Sequence, residues 1–302
     1  MFVFSREQVT VEICGIKIGG QPGQNPTAMI GSMFYDGHGV IEDPTKGKID
    51  REEALSQIRV AEALSDKYGL PLIIDIVGTT KEAMERYIGF VADATSSPFL
   101  LDGATAEVRV AALQLVSENG LSERSIFNSI NQDTRDFEIQ ALLRSKVRSA
   151  IVFAYNLRDP TIEGRLSLLR GAEGTNLLRK AEQANVERIM IDMFVLDGPD
   201  MGPAAKAIFL EKTEFGYPAG CGPGNTMDQW NNAGIDQVSR TIFRCAASAF
   251  PVALGADFIL FGAIQRAKYA FPACALYNGY TAYTARRYGV HPSKTHPLYK
   301  IF

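Results

Sequence analysis

Eight short apolar runs, each followed by a longer stretch of helical character, constrain this chain more than any other feature. The runs are TAMIGSMFY (27–35), LPLIIDIVG (70–78), PFLLD (98–102), SIFNSIN (125–131), SAIVFAYN (149–156), RIMIDMFV (188–195), FGYPAGC (215–221) and DFILFG (257–262). Most are continuous rather than alternating, the pattern of strands covered on both faces. The stretches between them carry helix ends. In DREEALSQIRVAEALSDKYG, Asp50 can cap with Glu53 three residues on, a capping-box arrangement. Ala54, Ile58 and Ala61 continue an apolar face, and Gly69 supplies a stop. Residues 79–94, 105–120, 134–147, 202–216 and 234–255 read the same way. Eight strand–helix units match a (β/α)8 TIM barrel, for which roughly 250 residues is typical. A doubly wound open sheet is the alternative, because periodicity does not report closure. VTVEI and IKIGG flank Cys14-Gly15 and predict an N-terminal β-hairpin plugging one end. With no repeat, linker or composition break, residues 1–302 read as a single α/β barrel domain.

Composition narrows the setting. The chain has 302 residues, is 46% hydrophobic and carries a formal net charge of −3. That balance offers no electrostatic footprint for nucleic acid. No apolar run approaches the ~20 residues of a membrane-spanning helix, and the N-terminus lacks the pattern of an export signal. Cys14, Cys221, Cys245 and Cys274 are scattered, which suits a reducing cytoplasm rather than a disulfide framework or a cysteine-rich zinc site.

Barrels of this kind work at the C-terminal ends of their strands. Here those ends carry Asp75, Asp102, Asn128, Ser129, Asn131, Tyr155, Asn156, Asp192 and, after the seventh run, Asn225. Carboxylates and carboxamides dominate, and cationic residues are nearly absent. A lone Asp or Asn at a strand end can also simply cap the next helix. Asp75 and Asp192 interrupt apolar runs, where an unpaired carboxylate carries a large desolvation cost. They are expected to meet donors, and a ligand with several N–H groups would serve. The glycines of GYPAGCGPGN (216–225) read either as a turn or as backbone drawn back from a flat ligand.

Other motifs fall away. His38, His291 and His296 form no HExxH and no acid–His–nucleophile set. YDGHGVI departs from the DxHxxG pattern that supplies a histidine to cobalamin, because Ile41 stands where the glycine is needed; His38 reads as a loop residue. GCGPG is neither GxGxxG nor a P-loop. QPGQNP (21–26) reads as a turn entering the first strand. No metal site is expected in this chain.

With those residues noted, ICGIKIGGQPGQNP, GSMFYDGHGVIED, PFLLDGATAE, RSIFNSIN and the ending HPLYKIF resemble the H subunit of tetrahydromethanopterin S-methyltransferase. They also resemble soluble bacterial relatives that move methyl groups between a corrinoid protein and tetrahydrofolate. The similarity runs nearly end to end. It implies a (β/α)8 barrel with a reduced pterin in its mouth, a homodimer, and a corrinoid carried by a separate protein. The family's pterin-binding acids fall on Asp75 and Asp192, its strand-4 pair on Asn128 and Ser129, and its asparagine near pterin N5 on Asn225. Asp192 and Asn225 are then the catalytic candidates. One departure stands out: where the wider family ends strand 3 in Asp-Ser-Thr-Asn, this chain has Asp102-Gly103-Ala104-Thr105. Asp102 is kept as a pterin contact, the asparagine is lost, and Thr105 is a possible substitute.

The chemistry implied is methyl transfer between a corrinoid protein and N5 of tetrahydrofolate. Two alternatives stay open: a tetrahydromethanopterin-specific subunit of a larger membrane complex, and a non-catalytic pterin-binding docking subunit. A dihydropteroate synthase-like chemistry needs cations near strands 7 and 8. Residues 217–231 contain no Lys or Arg, and Arg266 and Lys268 read as lying beyond strand 8 in a helix.

Overall fold

The computed structural model describes residues 3–171, 175–226 and 234–302. It begins with an antiparallel hairpin of β1 (Thr10–Ile13) and β2 (Ile16–Gly19). The two turn residues, Cys14 (φ 49) and Gly15 (φ 79), both take the left-handed conformation that lets a two-residue turn match the strand twist. Val11, Ile13 and Ile18 are buried, while Glu12 and Lys17 face outward.

The chain then enters β3 (Ala28–Met33), passes a small antiparallel pair, β4 (Ile41–Asp43) and β5 (Lys48–Ile49), and forms α1 (Arg51–Tyr68). Asp50 caps α1 by accepting from Glu53 N at 3.1 Å, and Gly69 ends it at φ 69. Only half of the expected capping box forms. The Asp50 N–H is already taken by Val40 O, and the Glu53 carboxylate accepts from Gln57 instead. Ala54, Ile58 and Ala61 are its buried face.

The alternation continues with β6 (Leu72–Gly78), α2 (Lys81–Ala94), β7 (Phe99–Gly103), α3 (Ala106–Glu118), β8 (Ser125–Ile130), α4 (Asp136–Arg144) and β9 (Ser149–Phe153). After β9 come α5 (Ile162–Arg170), α6 (Leu177–Gln183), β10 (Arg188–Asp192), α7 (Met201–Glu214), β11 (Ala219–Cys221), α8 (Gln237–Ala253), β12 (Phe258–Ala263), α9 (Ala267–Ala285) and α10 (Leu298–Ile301). Strands β3 and β6 to β12 pair in parallel, and β12 returns to β3, so the sheet closes. The fold is a (β/α)8 barrel, not an open sheet, and all eight expected strands are in it.

Strand periodicity of two sorts residues between the barrel interior and the helical shell. Ile30, Ile73, Leu100, Ile126, Ile151, Met190 and Phe258 form one buried cluster with Val11, Ile13 and Ile18 of the hairpin. The hairpin therefore plugs the N-terminal end. Their strand neighbours, among them Met29, Ile74, Leu101, Phe127, Val152 and Ile191, belong to the outer cluster with the helices.

Candidate functional site

The same periodicity builds the site. Two residues beyond each interior apolar residue lie Ser32, Asp75, Asp102, Asn128, Phe153, Asp192 and Leu260, and on β11 Gly222 follows Gly220. All eight line a cavity of about 490 Å3 at the C-terminal mouth, a volume suited to a small organic ligand. An apolar layer thus supports a polar one, and the polar layer is the floor of the mouth.

Asp75 is 3% exposed. Ser32, its register partner on β3, donates from Oγ to Asp75 Oδ2 at 2.7 Å. The other oxygen, Oδ1, is buried and has no hydrogen-bond partner in the protein. Burial pushes this carboxyl upward from its ordinary value, against the pull of the Ser32 hydroxyl and the nearby Asn128 side chain. Asp102, on the adjacent strand, is also pushed upward, first by burial and then by the Asp75 charge; Arg109 opposes this. Two such acids sharing one site of low solvation cannot both ionise easily.

Asp192 is 6% exposed and stands at the end of β10. Burial raises its carboxyl to about 7, opposed by the Phe194 N–H and the Arg165 charge. The Phe194 N–H reaches Asp192 Oδ1 at 2.8 Å. Phe194 holds a positive φ of 52 and packs its ring on Phe153 and Tyr155, with centroids at 5.0 and 4.4 Å. Phe153 and Phe194 thereby give the mouth an aromatic wall beside the carboxyls.

Asn128 and Ser129 both line the cavity although they are consecutive. They sit at a register shift in the β8–β9 pairing, and the peptide bond between them is cis. Asn225 lies exposed on the rim, in a 3₁₀ turn spanning Pro223–Thr226. The glycines around it have distinct causes. A Cβ on Gly220 would fall 2.2 Å from Phe258 O, and one on Gly224 would fall 2.5 Å from Gly262 N. These two permit strand-to-strand approach. Gly222 has room for a Cβ and leaves that side of the mouth open.

Asp75, Asp102, Asn128, Ser129, Asp192 and Asn225 all converge on this cavity, as does Asn131. Two other rim residues do not. Asn156 is 5% exposed and turns its side chain to Gly164 O and the N–H groups of Arg158 and Asp159, holding the loop before α5. Tyr155 buttresses Phe153 and Phe194 from behind rather than lining the cavity. Thr105 is no substitute for the lost asparagine: it is exposed, and its hydroxyl caps α3 by accepting from Val108 N. His38 is a loop residue but is 2% exposed, held between Phe34 N and the Gln57 and Gln265 side chains.

Ser32, the aromatic wall and Arg266 escaped the sequence. The Ser32 signal was present, since it lies two residues past interior Ile30. Arg266 follows β12 and precedes α9, yet its guanidinium turns back to donate to Gly224 O at 3.0 Å and lines the mouth. It passes over Gly262 (φ 78), where a Cβ would fall 2.8 Å from Nη1. The mouth therefore does contain a cation. Among the described residues, no three His, Cys, Asp or Glu side chains are grouped to hold a metal ion.

This floor of three acids, with one orphaned carboxylate oxygen, fits a flat ligand presenting N–H groups. Among solved structures, the fold is similar to dihydropteroate synthase from Coxiella burnetii in complex with pteroic acid. The TM-score is 0.62 at 14% identity, over 91% of this chain and 100% of that one. Yersinia pestis dihydropteroate synthase gives 0.59 at 13% identity, over 93% and 100%. At such identities the likeness is one of fold. In sequence, the H subunit of tetrahydromethanopterin S-methyltransferase from Methanothermobacter thermautotrophicus is 36% identical over 315 residues, covering 100% of both chains. Its counterpart in Methanocaldococcus jannaschii is 36% identical over 318 residues, again covering 100% of both. Residues 6–293 match the family model of the tetrahydromethanopterin S-methyltransferase MtrH subunit, and the chain accordingly belongs to that family of methyltransferases.

Proposed function

We propose that this protein moves a methyl group between N5 of tetrahydrofolate and a corrinoid protein docked over the barrel mouth. The observation that carries this reading is the buried, unpartnered Asp75 Oδ1 on a floor shared with Asp102 and Asp192. A reduced pterin presents N–H donors along its aminopyrimidinone edge, which carboxylates read by charge-assisted hydrogen bonds. Asp75 and Asp192 would take that edge, with Asp102, Asn128 and Ser129 completing the polar side. Phe153 and Phe194 would offer the ring an apolar face.

The corrinoid, held by its own protein, would supply the cobalt centre that gives or takes the methyl group. This chain's part concerns N5. Asn225, exposed at the rim, can donate to or accept from N5 whether it is methylated, protonated or free. An interaction that strengthens as charge develops on N5 lowers the barrier rather than merely tightening binding. Asp192, held at about 7, can carry a proton near neutral pH.

Tetrahydromethanopterin is the second reading, favoured by the names of the relatives in Methanothermobacter and Methanocaldococcus. The two pterins share the bicyclic head that the floor would read, and in this reading the chain serves as one component of a larger complex. A homodimer is part of the proposal. It is supported by exposed apolar side chains on the packed helices α8 and α9, with Val238, Ile242 and Phe250 on one and Leu276, Tyr280 and Tyr283 on the other. The proposed setting is the cytoplasm, consistent with four free cysteines. No helix among the described residues is long and apolar enough to cross a membrane.

Calorimetric titration with each pterin, alongside Asp75→Asn, tests the reading. Binding of one pterin that is lost in the variant supports it and names the substrate. Failure of a folded wild type to bind either pterin sinks it.

A further inference from the structure

Arg165 lies outside the mouth, on α5, and is fully buried. Its two terminal nitrogens are spent on one segment, while Nε is buried without a hydrogen-bond partner. Nη1 donates to Met193 O at 3.1 Å and Phe194 O at 3.3 Å, and Nη2 to both carboxylate oxygens of Asp200 at 2.7 Å. Asp200 Oδ2 also accepts from Leu196 N at 2.8 Å. Residues 193–200 are thus wound around a single cation. Burying a charge this deeply is costly unless its partners are well placed.

The segment leads directly to the site. Phe194 holds a left-handed backbone that is uncommon for a bulky side chain and persists only where its surroundings over-determine it. Both of its polar backbone groups are held: Arg165 takes the carbonyl, and Asp192 Oδ1 takes the N–H. Asn156 fastens α5 from the other side through Gly164 O.

We propose that Arg165 is a positioning residue for the pterin site, acting through the 193–200 segment to hold the Phe194 ring in the mouth and the Asp192 carboxylate in its receiving orientation. The role of the mouth itself rests on the reading under Proposed function. The electrostatics agree: the Phe194 N–H and Arg165 are the two influences that hold the Asp192 carboxyl down against burial. The other groups around Asp192 are Asp200 at the start of α7, Cys221 on β11 with its thiol pushed well up and neutral, and Asp75 and Asp102 in the same cavity. Arg266 lines that cavity as well, but Arg165 is the cation whose charge holds the Asp192 carboxyl down.

The test follows Asp192 by carboxyl ¹³C NMR titration of the full chain, assigned with Asp192→Asn, and pterin affinity across the same pH range. In Arg165→Gln, Asp192 is expected to titrate at higher pH, and the affinity loss at neutral pH should exceed the loss at alkaline pH. In Arg165→Lys the charge remains while the fork is lost, so affinity falls with a smaller movement of the midpoint. Asp200→Asn breaks the two-oxygen grip on Arg165 Nη2 while keeping the Arg165 charge, so pterin affinity should fall with little movement of the midpoint, which keeps the test decisive if Arg165→Gln does not fold. An unmoved Asp192 titration in folded Arg165→Gln, or unchanged pterin affinity in Asp200→Asn, overturns the proposal. Wild type that binds no pterin overturns the functional reading instead, while the NMR titration still decides Arg165.

Discussion

Ser32 Oγ donates to Asp75 Oδ2 at 2.7 Å while the buried Asp75 Oδ1 has no hydrogen-bond partner in the protein. One oxygen is anchored to the neighbouring strand, and under the proposed function the other is the acceptor offered to the pterin. Hydrogen bonds to charged groups contribute about 1.5–3 kcal/mol. Ser32→Ala is therefore expected to weaken pterin binding roughly 10- to 100-fold and to push the Asp75 carboxyl further up. Calorimetry on the folded variant checks this, and unchanged affinity would separate Asp75 from recognition.

Asn225 stands on the rim, where truncation leaves no core cavity. Asn225→Ala should keep wild-type thermal stability and lose about 2.7–4 kcal/mol of transition-state stabilisation, roughly 100- to 1000-fold in kcat. Its effect on KM should be smaller. Stopped-flow transfer with a methylated corrinoid protein separates the two. A fall in KM-dependent terms alone would make Asn225 a binding residue.

The raised acids set how stability responds to pH. Asp192 is held at about 7 and Glu211 at about 8, each by burial. Between the ordinary carboxyl range and those values, the folded chain keeps protons that the unfolded chain has lost, so stability falls as pH rises. The buried histidines His38 and His296 are shifted downward by burial and act oppositely, but only below the ordinary histidine value of 6.5. The melting temperature of the free protein should therefore decline from about pH 6.5 to about pH 8. Asp192→Asn and Glu211→Gln should each flatten the decline. Calorimetric melting curves showing a constant or rising temperature would contradict this.

Gly224 faces Gly262 across the β11–β12 side of the mouth, with no room for a methyl group. Gly224→Ala must part the two backbones and is expected to cost about 1–3 kcal/mol by overpacking. It should also displace neighbouring Asn225 and the Arg266 contact to Gly224 O. Denaturant unfolding and transfer rate should both respond. A Gly222→Ala control, where a Cβ has space, should leave stability near wild type.

If a second copy covers α8 and α9, charge on that face should prevent it. Ile242→Glu combined with Tyr280→Glu is expected to yield a folded monomer by light scattering. A dimer that survives both changes would put the interface elsewhere.

The strands, the hairpin plug and most of the polar floor were legible in the sequence because each depends on local periodicity. Ile73 and Asp75, or Met190 and Asp192, lie two apart on one strand, so one points into the core and the other into the mouth above it. The tertiary structure alone decided closure, which requires β12 to find β3 across more than two hundred residues. It also decided which polar strand ends serve the mouth. Asn128 and Asn156 read alike, yet Asn128 faces the cavity and Asn156 secures a loop. Thr105 proved to be a helix cap. Ser32 mattered only once β3 lay beside β6, and Arg266 only once Gly262 let its side chain turn back. Local sequence determines which way a side chain leaves its own strand. What that side chain meets is set by elements distant in sequence, and those are brought together only when the barrel closes.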